Sequence, residues 1–303
     1  MDSLPPGDQT SLGGVDRSLM SRRGQAENIR DLPWQAAEGA DPIEVFTRRD
    51  LIARFPEGHF DHVERLQFHL VLIGDSGEGR HEVDFVDTQI RPNRVVHIEP
   101  GQVQRWRSEP QFDATLVLFP EVPSAIAPSW GLGPRAVDLK PAEMSDVRTV
   151  LALIGQERSA DRTPAGRDIA LRGLRDLLLV RLGLDRDHDA ADADLPPVYV
   201  AFRNDLETHL TVEDSMGDRA KRIGYSGRTI SRACLGVSGR TAKQLADDRL
   251  VLEARRLLAQ PGATIAQVAR ALGFTEQTNF AKYFRRHTGV TPSAWVETIR
   301  SPT

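Results

Sequence analysis

Residues 264–292 read TIAQVARALGFTEQTNFAKYFRRHTGVTP, an order of caps, apolar stripe and glycine that predicts two helices meeting across a tight turn. Thr264 can cap a helix, with Gln267 three residues on completing a capping box. Ile265, Val268, Ala269 and Leu272 form the buried stripe. Gly273 follows as a left-handed cap, and Thr275 starts the second helix. That helix buries Phe280 and Phe284. Its first turn exposes Glu276, Gln277, Thr278 and Asn279, and its later turns expose Lys282, Arg285 and Arg286. Amides and hydroxyls lead and cations follow, as suits a helix entering the DNA major groove by its N-terminal end. The amides can pair with adenine edges and the cations with flanking phosphates. An ordinary helical hairpin with a polar face is the alternative.

A weaker copy lies upstream, where Gly224-Tyr225-Ser226 matches Gly273-Phe274-Thr275. Val212, Met216, Ala220 and Ile223 stripe its first helix, and Ser226 caps GRTISRAC with Ile230 and Ala233 inward. Arg228, Thr229 and Arg232 are then exposed. A stretch without glycine or proline from Ala242 to Gln260 joins the copies, and its Leu245, Val251, Leu252, Leu257 and Leu258 can pack against both. Such a connector would hold two reading helices apart, and successive major grooves on one DNA face lie about 34 Å apart.

The charge supports a division of labour. Residues 197–303 carry 16 Lys and Arg against 10 Asp and Glu, a net +6, so the remainder of the −4 chain carries −10. A basic end is what phosphate binding requires, although solvated helical faces are often basic too. With 303 residues the chain has room for about two domains. No run is long and apolar enough to cross a bilayer, and the N-terminus shows no secretory pattern, so a cytoplasmic protein without membrane contact is expected. The single cysteine, Cys234, excludes an intrachain disulfide, argues against zinc, and reads as a small buried apolar side chain.

Residues 1–40 lack an apolar period and read as a mobile arm. Within 41–140, runs such as LQFHLVLI, RHEVDF, RVVHI and ATLVLF alternate with turns, predicting an all-β domain. Across 141–184 the period lengthens into two helices, one striped by Met144, Val147, Leu151 and Ile154, the other by Ile169, Leu174, Leu177, Leu178 and Leu182. The second stripe is expected to form a homodimer interface or to pack on the β domain. Residues 185–197 are acidic and proline-containing, as an exposed linker should be, and 198–303 read as helical throughout.

DDRLVLEARRLL followed by IAQVARALGFTEQTNFAKYFRRHTGVTPSAW resembles the signature of the AraC/XylS family of bacterial transcription regulators. The resemblance covers about residues 200–300. It implies a seven-helix domain with two helix-turn-helix units, double-stranded DNA and RNA polymerase as partners, and base or backbone contacts from Arg228, Thr229 and Arg232 and from Gln277, Thr278 and Lys282. Where the family has phenylalanine followed by basic residues, this chain has Cys234-Leu235-Gly236. The family's usual partner domain is a cupin-like β-barrel that senses a small molecule and dimerises, and IEPGQVQRW looks like part of one. The expected fold is therefore α+β, a cupin-like barrel with two following helices and an all-α C-terminal domain.

Cupin enzymes hold a metal through an HxH…E set and a later histidine. This chain lacks HxH and has Gln104 in the later position, so neither a metal nor another cofactor is expected. His59 and His62 read as surface or capping residues. Alternation along Arg80–Phe85 puts His81, Val83 and Phe85 on one face, where His81 could meet Gln104 and Trp106 around an unknown effector, with His69 a further candidate. The expected function is effector-responsive, sequence-specific regulation of transcription. The alternative is a metal-independent cupin isomerase or lyase with a helical appendage.

Overall fold

The computed structural model describes residues 29–32, 41–54, 63–106, 112–120, 135–184, 195–260 and 262–300. The described residues contain ten strands, most of them the turn-punctuated apolar runs: β1 (Ile29–Leu32), β2 (Glu44–Thr47), β3 (Val63–Leu66), β4 (His69–Gly77), β5 (Gly79–Val83), β6 (Val86–Ile90), β7 (Arg94–Ile98), β8 (Val103–Trp106), β9 (Phe112–Phe119) and β10 (Arg135–Asp138). They form two five-stranded sheets, ordered β1-β3-β8-β5-β6 and β10-β7-β4-β9-β2. A short helix, α1 (Arg48–Arg54), follows β2.

Within the segment 1–40, expected to be a mobile arm, residues Ile29–Leu32 instead form the strand β1. It pairs in parallel with β3, from Ile29 opposite Val63 to Leu32 opposite Leu66. Main-chain pairing at a sheet edge needs no apolar period, which is why the sequence hid it. Residues 1–28 and 33–40 of that segment lie outside the described residues.

Leu66, Leu70, Leu72, Val83, Ile98, Trp106 and Leu116 fill the space between the sheets. β4 is buried on both faces: Leu70 and Leu72 point inward, while Val71 and Ile73 join a second core beneath two helices. Double coverage explains why LQFHLVLI reads as a continuous apolar run.

Those helices are α2 (Pro141–Ser159) and α3 (Pro164–Arg181). Thr163 caps α3 by accepting from the Gly166 N–H. Met144, Val147 and Ile154 are buried as expected, with Leu151 partly so. The second stripe is divided. Leu178 and Leu182 are buried with Leu171 and Leu179, and Leu174 is partly covered, but Ile169 is 73% and Leu177 41% exposed, alongside Val180 at 45%. One leucine-rich helix thus has a packed face toward the barrel and a separate apolar strip on the outside.

Among its described residues the C-terminal region contains seven helices: α4 (Pro197–Thr208), α5 (Met216–Ile223), α6 (Gly227–Ser238), α7 (Ala242–Leu258), α8 (Ile265–Ala271), α9 (Gln277–Thr288) and α10 (Pro292–Arg300). Of the expected linker, 185–194 lie outside the described residues. Helix α7 serves two cores. Its Ala242, Leu245 and Ala246 pack with Phe202, Ile230 and Cys234, whereas Leu250, Ala254 and Leu258 pack with Val268, Phe280 and Phe284. The latter core also takes in Val63 and Val103 of the barrel, and Phe85 meets Trp295 edge-on with ring centroids 4.9 Å apart. No described helix is long and apolar enough to cross a membrane.

Candidate nucleic-acid interface

The second unit is built as its caps dictate. Thr264 Oγ1 accepts from the Gln267 N–H at 3.2 Å, and Gln267 Oε1 accepts from the Thr264 N–H at 2.9 Å. Gly273 has φ +81°, the Phe274 N–H donates to the Ala269 carbonyl at 2.9 Å, and a Cβ on Gly273 would lie 3.2 Å from Thr211 Cβ. Both the backbone conformation and the close approach favour glycine here.

The expected cap at Thr275 is corrected by one residue. Helix α9 starts at Gln277 with Glu276 as its N-cap, because the Glu276 carbonyl is the helix's first acceptor, taking the N–H groups of Asn279 at 3.1 Å and Phe280 at 3.2 Å. Gln277 therefore occupies the first helical position. Phe280 and Phe284 are fully buried, their rings 5.8 Å apart, with Phe274 and Trp295 around them.

The first unit repeats the turn. Gly224 has φ +74°, and the Tyr225 N–H donates to the Ala220 carbonyl at 3.1 Å, the counterpart of the Phe274–Ala269 bond. Ser226 Oγ accepts from the Thr229 N–H at 3.1 Å, while Ile230 and Cys234 are buried. Burial raises the Cys234 thiol to about 11, which leaves it unreactive. Val212 does not belong to the striped helix: α5 begins at Met216 after the Ser215 cap, and the Val212 N–H bonds the Leu272 carbonyl at 3.0 Å, tying the units together. Leu235, at the departure from the family pattern, is exposed.

Arg219 is a structural residue the periodicity missed. It is fully buried, with Nη1 2.9 Å from Asp205 Oδ2 and Nη2 2.9 Å from Asp214 Oδ2, and it donates to the His209 carbonyl at 2.6 Å. Arg222 Nε completes the cluster on Asp205 Oδ1 at 2.6 Å. Burial opposes ionisation of Asp205, yet the bonds from Arg222 and Arg219 hold its carboxyl below the usual range. Two Asp-Arg pairs in one short segment were the available signal.

This cluster shows how the +6 is distributed. Arg219, Arg222, Lys243, Arg249 and Arg256 are neutralised by Asp or Glu, and Arg240 by Asp248. Arg228, Arg232, Lys282, Arg285 and Arg286 are exposed and pair with no carboxylate among the described residues. Thr229, Glu276, Gln277, Thr278 and Asn279 are exposed with them, although Thr278 Oγ1 also donates to Glu276 Oε2 at 3.1 Å. Five cations without a carboxylate partner thus stand on α6 and α9, where phosphates could supply the counter-charge, while Arg255 of α7 and Arg270 of α8, the latter donating to the Ala266 carbonyl, also pair with no carboxylate among the described residues.

In the barrel, His81, Gln104 and Trp106 do come together. His81 Nε2 lies 2.9 Å from Gln104 Oε1, Gln104 Nε2 donates to Glu64 Oε2 at 3.1 Å, and the His81 and Trp106 rings meet at 4.5 Å. Phe85 is not on their face: the strand ends at Val83, and positive φ at Asp84 and Phe85 turns the ring out to Trp295. His69 stands apart as well. It shares the outward face of Val71, with Nδ1 3.0 Å from His97 Nε2 and its ring stacked on Phe119 at 5.1 Å. Burial lowers the pKa values of His69 and His81 to about 4 and that of His97 well below its usual value. Among the described residues no three metal-ligating side chains converge, and His59 and His62 lie outside those residues.

Residues 219–298 match the profile of a helix-turn-helix domain family. Over 252 residues the chain is 24% identical to the HTH-type transcriptional activator RhaS of Escherichia coli K12, an alignment covering 79% of this chain and 87% of that protein. Among solved structures, it is similar to unsaturated fatty acid-bound ToxT from Vibrio cholerae, at 11% identity over 76% of this chain and 86% of that one, with a TM-score of 0.40. It is also similar to a regulator with an AraC-type DNA-binding domain from Chromobacterium violaceum, at 26% identity over 38% of this chain and 99% of that one, with a TM-score of 0.32.

Proposed function

We propose, from the premise that this chain is a DNA-binding transcription regulator of the AraC/XylS family, that it lays α6 and α9 into successive major grooves on one face of an operator. Its relatives are regulators rather than enzymes, and the isomerase or lyase alternative is set aside on that comparison.

Gln277 at the first position of α9, with Thr278 and Asn279, reads base edges. Arg228, Thr229 and Arg232 do the same from α6. Lys282, Arg285 and Arg286 supply phosphate contacts, and Glu276 sits at the entrance, where it orients Thr278. The observation that carries this reading is the repeated turn: matched glycine-centred bonds in two units that share α7, each presenting cations without internal partners.

The barrel senses a small molecule, the exposed strip Ile169, Leu177 and Val180 joins two copies, and the DNA-bound dimer meets RNA polymerase in the cytoplasm. Hydroxyl-radical footprinting of a bound fragment tests the DNA geometry. Each protomer should protect two patches on one face, centred about 10 base pairs apart. A single patch per protomer would overturn the two-helix reading.

A further inference from the structure

A cavity of about 440 Å³ opens where α1 crosses the end of the barrel, lined by Arg48, Arg49, Ile52 and Ala53 of α1 and by Phe112 and Asp113 of β9. None of His69, His81, Gln104 and Trp106 lines it. Its volume is that of a small-ligand site.

Arg48 is the unusual member. It is only 4% exposed, yet it pairs with no carboxylate among the described residues. Nη1 makes one long bond, 3.3 Å, to the Phe112 carbonyl, and Nε is buried without an acceptor. The guanidinium lies 4.6 Å from the Phe112 ring centroid and 5.7 Å from that of Trp106. Asp113, the acid of the site, is committed elsewhere: Oδ2 faces Arg49 at 3.1 Å and Oδ1 accepts from the Ala114 N–H at 3.0 Å. Asp113 attracts this buried cation only through space, without a direct ion pair, so the charge is incompletely compensated and a ligand anion would complete the compensation.

We propose that this cavity binds a small organic monocarboxylate and is the effector site, the carboxylate on Arg48 and the apolar body against Ile52, Ala53 and Phe112. The planar guanidinium suits a carboxylate, and three apolar walls suit a hydrocarbon chain or ring. Asp113 beside the entrance disfavours a dianion such as phosphate. Binding has a route outward. Trp106, under Arg48, pairs across the sheet with His81 of β5, and β5 ends at the Asp84–Phe85 turn that touches α7 and α10. The effector role rests on the ligand-responsive reading above, whereas the binding site does not.

The test is calorimetric titration of the full chain with hexanoate and with benzoate, against hexan-1-ol and inorganic phosphate as probes of apolar contact alone and charge alone. The carboxylates should bind one per chain, with hexanol and phosphate at least about tenfold weaker. Arg48→Met should weaken carboxylate binding by about tenfold or more, and Ile52→Trp, which fills the cavity from the helix surface and leaves Arg48 intact, should block it. Carboxylates that bind no tighter than hexanol, or that bind Ile52→Trp as well as the wild type, would overturn the site even if Arg48→Met failed to fold. Anisotropy with a duplex selected by the protein separates the second question. A hexanoate-dependent change in DNA affinity supports the effector role, and tight hexanoate binding with unchanged DNA affinity removes that role while leaving the site.

Discussion

Arg256 of α7 grips Asp84 of the β5–β6 turn through two hydrogen bonds, Nε to Oδ1 at 2.9 Å and Nη2 to Oδ2 at 2.5 Å. Asp84 is buried and also accepts from Gln102 Nε2 at 2.7 Å and the Val103 N–H at 3.3 Å. Removing Arg256 strands a buried carboxylate at the junction between barrel and helical domain. Arg256→Met should therefore cost about 3–5 kcal/mol of docking and resolve calorimetric unfolding into two transitions. Arg256→Met combined with Asp84→Ala should cost less than the sum of the two single changes. Additive effects would show that the pair contributes little to the junction.

Gln277 and Lys282 should differ in what they supply. Gln277→Ala is expected to cost about 1–3 kcal/mol on the preferred site and to relax preference at one or two base pairs, with little change in salt dependence. Lys282→Ala should weaken all sequences more evenly and lower the log–log salt slope by about one. Both side chains are exposed, so both variants should keep wild-type helicity by circular dichroism. An unchanged selected motif with strong binding by Gln277→Ala would move specificity to Arg228 and Arg232.

Acid should act on the two domains in separate windows. In the folded barrel His69 and His81 have pKa values near 4 against 6.5 in an open chain, so the unfolded state takes up protons first as pH falls. Barrel stability should decline between pH 6.5 and about 4, and less steeply in His81→Gln. Asp205 has the opposite character for a stabilising group. Its folded pKa lies below 3.8, so its contribution is complete above 3.8 and is lost only on further acidification through the folded value. Urea unfolding followed separately by barrel and helical probes checks both windows. A barrel stability that is flat from pH 6.5 to 4 would contradict the first.

The strip Ile169, Leu177 and Val180 should hold two protomers together. Leu177→Arg is expected to convert a dimer into a monomer by light scattering while keeping the wild-type circular dichroism spectrum, because Leu177 is outside the core formed by Leu171, Leu178 and Leu179; its thermal midpoint should fall only by the stabilisation that dimerisation adds. A wild-type chain that is monomeric at tens of micromolar would contradict the interface, a concentration well above the dissociation constant of an ordinary specific dimer of about 1 µM or tighter.

What the sequence disclosed depended on whether a residue's role was local. The Thr264–Gln267 box and the left-handed Gly224 and Gly273 are properties of a few consecutive residues, and all were legible. The side-chain direction of His69 was not, because β4 is covered on both faces and alternation carries no sign there. Arg219 and Asp84 looked like surface charges, since Asp205, which holds Arg219 together with nearby Asp214, lies 14 residues away in sequence and Arg256, which holds Asp84, lies 172 away. The Leu177 strip and the Leu178 face could not be separated by counting leucines, as adjacent residues on a helix differ by about 100°. Arg48 had no motif at all. Its character comes from burial between two rings and from the engagement of Asp113 with Arg49.

Selection from random duplex DNA with the purified full chain measures the central claim directly. The account predicts an enriched motif with two conserved blocks whose centres lie about 10 base pairs apart, the number set by one turn of the double helix. Gln277→Ala should blur one block and Arg228→Ala the other. No enrichment over the starting pool, or one block insensitive to both substitutions, would contradict it.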